Sequence, residues 1–501
     1  MASTETERSY TPVHALPKAK RYVGFKESLA YGLASGGKSF IAAPTQSGYL
    51  SIFFIKVFGL PAGAVSFMML LSGMWDAFND PLIGSVIDKT RTRYGKLRPW
   101  LLLTPLPFAV LTVLLFGGPR FFGGAPQTVK IIYMYLSYLM WEMCYTCADV
   151  PFNGMTTAIS PLPEDRTRVI SYSTFIAGIL AQAGQLMLLT FMDASEKGLW
   201  HINLRTVFLL IGVISALFGG GLFSLSGIFT RERVAQSIRE PSILESFRVL
   251  THNKPLMLII LSNMLMSAGG LYSVFTTYYF AEVAQLNSLK MLIDLPGGAV
   301  GMATYAFIPA IKRRFDNRKI MLIHFVAKAV AGVLCFLTGM RHYTSKVFAV
   351  PILMFLNIVI SIANTVRNII SVEMIGDTID YMELRTGERN EGVSFAASSF
   401  FGKLTSSVST AIATAVLPII GLTYRTEGGR QIAVKGEKTD FYIWMFYVLV
   451  PQLVNCLGMI PYFWYDLSGD RLASVRAQLA ERREQLLTGD ARSENDDMPR
   501  D

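Results

Sequence analysis

About twelve apolar runs follow one another along this chain, separated by short charged segments, and each run is long enough to cross a bilayer. They span Leu29–Phe58, Ala62–Ile87, Pro99–Phe116, Val129–Met155, Val169–Phe191 and Val207–Phe229, then about 255–283, 288–311, 319–340, 346–375, 392–422 and 441–465. Lipid offers no hydrogen-bond partners, so each run must satisfy its own backbone, which a helix does. The expected fold class is an all-α integral membrane protein with about twelve transmembrane helices. Only 16% of residues are charged, against about 25% in soluble proteins. The net charge of +10 does not point to nucleic acid, because the positives cluster in short loops between the runs.

Those loops set the topology. Lys89, Arg91, Arg93, Lys96 and Arg98 follow the second run, and Lys312, Arg313, Arg314, Arg318 and Lys319 follow the eighth. Both loops are expected on the cytoplasmic side. Their equivalent places after the second run of each half are the trace of two parallel repeats. The expected organisation is a cytoplasmic tail (1–26), a six-helix half (27–229), a cytoplasmic linker (230–254), a second six-helix half (255–467) and a cytoplasmic tail (468–501). Residues 1–26 are polar and basic, without the apolar core of a signal peptide. The expected location is the plasma (inner) membrane with both termini inside. One chain of two halves can enclose a pathway by itself, so a monomer is expected.

Two aspartates sit within the second run. Asp76 and Asp80 are four residues apart, one above the other on a helix face. Each costs about 2.5–3.5 kcal/mol at a helix centre. Carboxylate oxygens suit a hard monovalent cation, and a bound cation relieves their mutual repulsion. A shared proton does the same, so Na⁺, Li⁺ and H⁺ all remain open as the bound species. The fourth run repeats the theme, with Glu142, Thr146, Asp149 and Asn153 at spacings of four, three and four. Such a stripe faces a bundle interior or an aqueous cavity. Pro151 follows Asp149 and can loosen the helix there. Lys403, within the eleventh run, is the expected counter-charge, and Lys38 in the first run either joins it or snorkels to the surface.

The tenth run carries Asn357, Asn364, Arg367 and Glu373, the last two expected to pair with the other half. It leads into GDTIDYMELRTGERNEG, an expected inner loop. Asp377, Asp380, Glu383 and Arg389 there, opposite Arg166, form a candidate cytoplasmic gate of breakable ion pairs. Tyr133, Trp141, Tyr145, Tyr272, Tyr278 and Phe395 are aromatic side chains able either to pack or to stack on a sugar face. The four cysteines fall in apolar runs, and the five histidines form no metal-ligand cluster. With no nucleophile motif or phosphate loop either, neither an enzyme nor a cofactor is expected.

Three motifs together carry a family resemblance: WDAFNDPLIG continuing to GKLRPW, YTCADVPF, and GDTIDYMELRTGERNEG. They resemble the glycoside–pentoside–hexuronide:cation symporters, the melibiose-permease-like branch of the major facilitator superfamily, over nearly the whole chain. The resemblance implies the major facilitator fold and uptake of a sugar or glycoside coupled to Na⁺, Li⁺ or H⁺ by alternating access. It implies that Asp76, Asp80 and Thr146 bind the cation, that Asp149 and Trp141 meet the sugar, and that Lys403 sits among the carboxylates. Three positions depart from the family pattern. Ser39 stands where an aspartate follows Gly-Lys, Ser173 where the fifth helix offers an arginine, and Asn153 where a tryptophan follows the fourth-helix aspartate. These can bond hydroxyls but lack charge-assisted strength, which implies a substrate other than a galactoside. A cation-coupled lysophospholipid carrier, with an apolar pocket near Met264, Phe275 and Phe395, is the alternative within the superfamily. A non-transporting membrane sensor is the alternative of another class.

Overall fold

The computed structural model describes residues 22–45, 47–160, 163–199, 202–233, 253–267, 269–386, 391–427, 430–479 and 481. Helices break where the sequence withdraws a backbone donor. The first span consists of α1 (Phe25–Ala42) and α2 (Ser47–Ile52), parted around Pro44, and ends in a π-helical turn, Phe53–Val57. The second is α3 (Ala62–Lys89), and the third is α4 (Arg98–Leu103) with α5 (Pro105–Phe121), stepped at a proline. The fourth is α6 (Gln127–Ala158) and the fifth α7 (Pro163–Glu196). The sixth is α8 (Leu204–Ile214) and α9 (Gly220–Phe229).

The second half repeats the count. Its spans are α10 (Lys254–Leu265) with α11 (Gly269–Tyr278), α12 (Leu289–Thr304) with α13 (Ile308–Lys312), α14 (Asn317–Gly339), α15 (Lys346–Thr386), α16 (Glu391–Ile419), and α17 (Thr439–Val448) with α18 (Val450–Leu457). Among the described residues, eight of the spans are long and apolar enough to cross a membrane by length and composition alone. The other four are the first four, interrupted by prolines or carrying the polar stripes.

Two features differ from the sequence reading. The tenth run does not stop near 375, because α15 continues to Thr386. Ile375, Ile379 and Met382, spaced four and three apart, are all buried and hold the extra turns against the bundle. Asp377, Asp380, Glu383 and Arg385 are therefore helical rather than in a loop. The fold is also not purely helical. β1 (Leu422–Glu427) and β2 (Arg430–Lys435) pair antiparallel between the last two spans, in register from Leu422↔Lys435 to Glu427↔Arg430.

The helices approach closely where glycine leaves room. A Cβ on Gly36 would lie 2.4 Å from Leu180 Cδ1, which lets α1 lie against α7 within the first half. Across the halves, a Cβ on Gly73 would lie 1.6 Å from Ser407 Oγ, so α3 and α16 touch almost backbone to backbone.

The two ends of the bundle differ. At the hairpin end the halves are stitched together. Lys56 bonds Glu196 at 2.8 Å and Glu282 at 2.9 Å, and the Tyr424 hydroxyl donates to Glu282 at 2.8 Å. Asp193 accepts the backbone N–H of Asn287 at 2.6 Å and of Ser288 at 2.8 Å. Further in, Ser51 meets Tyr278 at 3.2 Å and Ser66 Oγ donates to the Ala411 carbonyl at 2.5 Å. At the end bearing the basic loops, the ion pairs Arg233–Glu27, Arg168–Asp165, Lys312–Glu373 and Arg476–Asp377 each join residues of one half.

Candidate functional site

Asp76 stands midway along α3 and Asp80 one turn nearer the basic-loop end. Asp80 is held by the Lys403 ammonium from α16, an ion pair that joins the two halves. Asp76 is treated differently. Its Oδ1 is buried without a hydrogen-bond partner, and Lys403, Asp80 and Asp149 lie within electrostatic reach. The Asn79 side-chain nitrogen is likewise buried and unpaired. Buried polar atoms are nearly always satisfied, which makes this carboxylate oxygen an unused acceptor.

The stripe on α6 faces the same place. Glu142 accepts a hydrogen bond from the Tyr138 hydroxyl and lies within electrostatic reach of Asp76, Lys403 and Asp80. Thr146 is buried. Asp149 is paired with Lys38 and accepts from Asn153 Nδ2 at 2.9 Å. Lys38 does not snorkel: its residue is 9% exposed and its ammonium stands 4.6 Å from the centre of the Phe152 ring and 6.0 Å from that of Tyr145. Two lysines thus stand beside four carboxyl groups (Asp76, Asp80, Glu142 and Asp149), so the acids outnumber the bases. Among the described residues no three His, Cys, Asp or Glu side chains converge as a metal cluster. The donor set is one free carboxylate oxygen beside a paired carboxylate, which suits a single monovalent cation or a proton better than a divalent ion.

The remaining sugar-site candidates are arranged less openly. Trp141 is 3% exposed; its indole donates to Thr112 Oγ1 at 2.9 Å and stacks on Tyr138 and Tyr145. It braces α6 against α5. Ser173 is buried and its hydroxyl is spent on the Ile170 carbonyl at 3.0 Å. Ser39 is partly buried on α1 beside Lys38, and Asn153 is exposed.

Of the gate candidates, Asp377 and Arg166 have described bonds, and these do not join the two residues. Asp377 accepts from Arg476 at 2.6 Å and from Asn317 at 3.5 Å, both of its own half. Arg476 belongs to a helix over 469–479, within the stretch expected to be a tail. Arg166 donates to the Ser160 carbonyl at 2.6 Å. Beside it, burial pushes the Asp165 carboxyl up, but N–H bonds from Tyr22 and Val23, the Ser160 hydroxyl and Arg168 outweigh this and hold it below the usual carboxylate range. Asp380 and Glu383 lie on α15, and Arg389 is outside the described residues. Glu373 pairs with Lys312, and Arg367 donates to Asn368, so neither meets the other half in these bonds.

Sequence reasoning missed the hub of Lys56, Glu196 and Glu282, whose members lie near the ends of different spans and carry no common motif. It also missed Lys328, a single charge in the ninth run.

A family model described as MFS/sugar transport protein matches residues 31–469. The chain is 27% identical over 485 residues to an uncharacterized symporter, YjmB, of Bacillus subtilis, covering 93% of this chain and 97% of that one. It is 26% identical over 463 residues to the putative glycoside/cation symporter YagG of Escherichia coli (91% and 95% covered). It is 25% identical over 453 residues to the isoprimeverose transporter of Lactiplantibacillus pentosus (89% and 90%). Among solved structures, the inward-open xylose transporter XylE from E. coli superposes with a TM-score of 0.57 at 11% identity, covering 90% of this chain and 99% of that one. The nucleoside transporter NupG superposes with a TM-score of 0.58 at 15% identity (88% and 100%).

Proposed function

The chain belongs to the MFS/sugar transport protein family, and on that premise we propose that it is a secondary symporter coupling uptake of a sugar-like solute to a monovalent cation bound at Asp76. The observation that carries this is the unpartnered Asp76 oxygen at mid-helix beside the Asp80–Lys403 pair. A cation there competes with Lys403 for the carboxylates and so acts on the bond that ties α3 to α16. Cation occupancy thereby biases how the two halves meet, and with it the affinity of the solute site. A coupling of about 1–3 kcal/mol is the usual size. Basic loops favour the cytoplasm, so on this reading both termini are cytoplasmic and the stitched hairpin end is external. Asp149, held by Lys38, is the hydrogen-bond acceptor for sugar hydroxyls, with Asn153 beside it. The relatives named for a glycoside/cation pair and for isoprimeverose support a carbohydrate cargo. The lipid reading is disfavoured because Phe275 is fully buried and stacks on Phe446 rather than opening a pocket; the Phe395 side chain is outside the described residues.

The test is solute counterflow in proteoliposomes under Na⁺, Li⁺ and acid gradients, with panels of glycosides, pentosides, hexuronides and lysophospholipids. Asp76→Cys and Asp80→Cys are expected to lose the cation dependence. Full cation-dependent transport in both variants would place the cation elsewhere, and counterflow of lysophospholipid alone would replace the sugar reading.

A further inference from the structure

The second half holds a cavity of about 410 Å³ between α10, α11, α14, α15, α16 and α18, within the size range of small-molecule sites. Lys328, Arg367, Asn364, Asn263, Gln452 and Tyr272 line it, and none of its lining residues is acidic. Lys328 is 5% exposed, and its ammonium meets one neutral acceptor, Asn364 Oδ1, at 3.4 Å. Arg367 lies within electrostatic reach of Lys328. Its guanidinium donates to Asn368 Oδ1 at 3.0 Å, another nitrogen faces Met266 Sδ at 4.0 Å, and its Nε is buried without an acceptor. Among the described residues neither cation has a carboxylate partner.

Two like charges lining one cavity at membrane depth repel each other, and an anion between them relieves this. Every other buried cation of the bundle described above (Lys38, Lys56) is matched by a carboxylate of the chain. Here the chain provides none. We propose that Lys328 and Arg367 form an anion subsite that takes the carboxylate or sulfonate of an acidic sugar, making that class the cargo. The inference rests on the sugar–cation reading and deepens it. The guanidinium fork and the ammonium supply charge-assisted bonds to two oxygens of the acid group. Asn263 and Gln452, whose side-chain oxygens are buried without a donor, are the neutral groups left for sugar hydroxyls. A neutral sugar would leave both charges unmatched. Gly402, on the cavity wall, precedes Lys403, so the anion subsite and the Asp80 pair share one helix.

The test uses the full-length protein and four probes: glucuronate, 6-deoxy-6-sulfoglucose, glucose and inorganic sulfate. Thermal stabilisation and counterflow are read for the native chain, Lys328→Met and Arg367→Gln, each with and without Na⁺. The expected result is that one or both sugar acids act at concentrations at least tenfold below glucose. Each substitution should weaken them at least tenfold while stabilisation by Na⁺ persists, which shows that the variant is folded and its cation site intact. Arg367→Lys should restore part of the response. Glucose acting as well as the acids, with the variants unaffected, would overturn the subsite and leave the sugar–cation reading standing. Sulfate matching the sugar acids would overturn the assignment to a sugar cargo. Stabilisation by Na⁺ with no counterflow of any sugar would sink both readings.

Discussion

Asp76 and Asp80 are the same residue type one turn apart, yet neutralising them should move stability in opposite directions when no coupling cation is present. In Asp76→Asn the charge is removed from a carboxylate whose buried Oδ1 has no hydrogen-bond partner. An unsatisfied buried polar group costs about 1–3 kcal/mol. The amide still lacks a full set of partners, so a gain near the lower end, about 1 kcal/mol, is expected. In Asp80→Asn the Lys403 ammonium loses its carboxylate. Breaking a fully buried pair costs about 3–5 kcal/mol, but the Lys403 side chain is 41% exposed and that of Asp80 28%, so solvent screening reduces this to about 1–3 kcal/mol. Thermal unfolding followed by tryptophan fluorescence in choline buffer should therefore rank Asp76→Asn above the native protein and Asp80→Asn below it. Adding Na⁺ at a hundred times its dissociation constant stabilises a one-site protein by about 2.7 kcal/mol. That increment should appear in the native protein and vanish in Asp76→Asn. If Asp76→Asn is destabilised like Asp80→Asn, or keeps the full Na⁺ response, the assignment of Asp76 as the free ligand is wrong.

Three further outcomes follow from the geometry. Lys38→Met should leave Asp149 without its cation and lower stability by about 1–3 kcal/mol, less than a fully buried pair because the Asp149 side chain is 30% exposed; adding Asn at position 149 should recover most of the melting temperature but not transport. Gly73→Val places atoms inside Ser407, so α3 and α16 should be held apart and counterflow should fall at least tenfold, measured against surface expression; unchanged counterflow would show that this approach is not needed in the cycle. Asp165 has its folded carboxyl held below the usual range, so its contribution is complete above the ordinary aspartate value near pH 4 and is lost as pH falls through the lower folded value. Asp165→Asn should therefore remove part of the acid-induced loss of stability, read from unfolding scans between about pH 5 and pH 3.

The spans were legible because a helix in lipid needs only length and apolarity, and these are local properties of the sequence. The acidic pairs were legible for the converse reason, since a carboxylate within an apolar run has few explanations. What escaped was pairing. Lys38 sits between the polar end and the centre of its run, and the packing of Phe152 and Tyr145 around it accompanies an ammonium turned inward to Asp149. Lys328 and Arg367 lie 39 positions apart with no shared motif, and the cavity that unites them is made by six helices. The hairpin was missed because its strands, Leu422–Glu427 and Arg430–Lys435, are short and lie in a polar stretch between two spans, which reads as a connecting loop. Asp377 was assigned to a loop on its charge, whereas the buried Ile379 and Met382 beside it decide for helix.

Of the named contacts that fasten α3 to the second half, the Asp80–Lys403 bond is the nearest to the basic-loop end. Asp80 lies about 27 Å along α3 from Ala62 and about 14 Å from Lys89, at 1.5 Å per residue. Were the helix to pivot at that bond, its arms would be unequal, and one rotation would swing its hairpin end about twice as far as its basic-loop end. Groups at a pivot translate least. The carboxylates would then stay nearly fixed in the membrane's electric field while the entrances on either side swing open and shut. Most of the electrical work of a transport cycle would be done on the cation moving along its aqueous access path rather than on the protein's own charges.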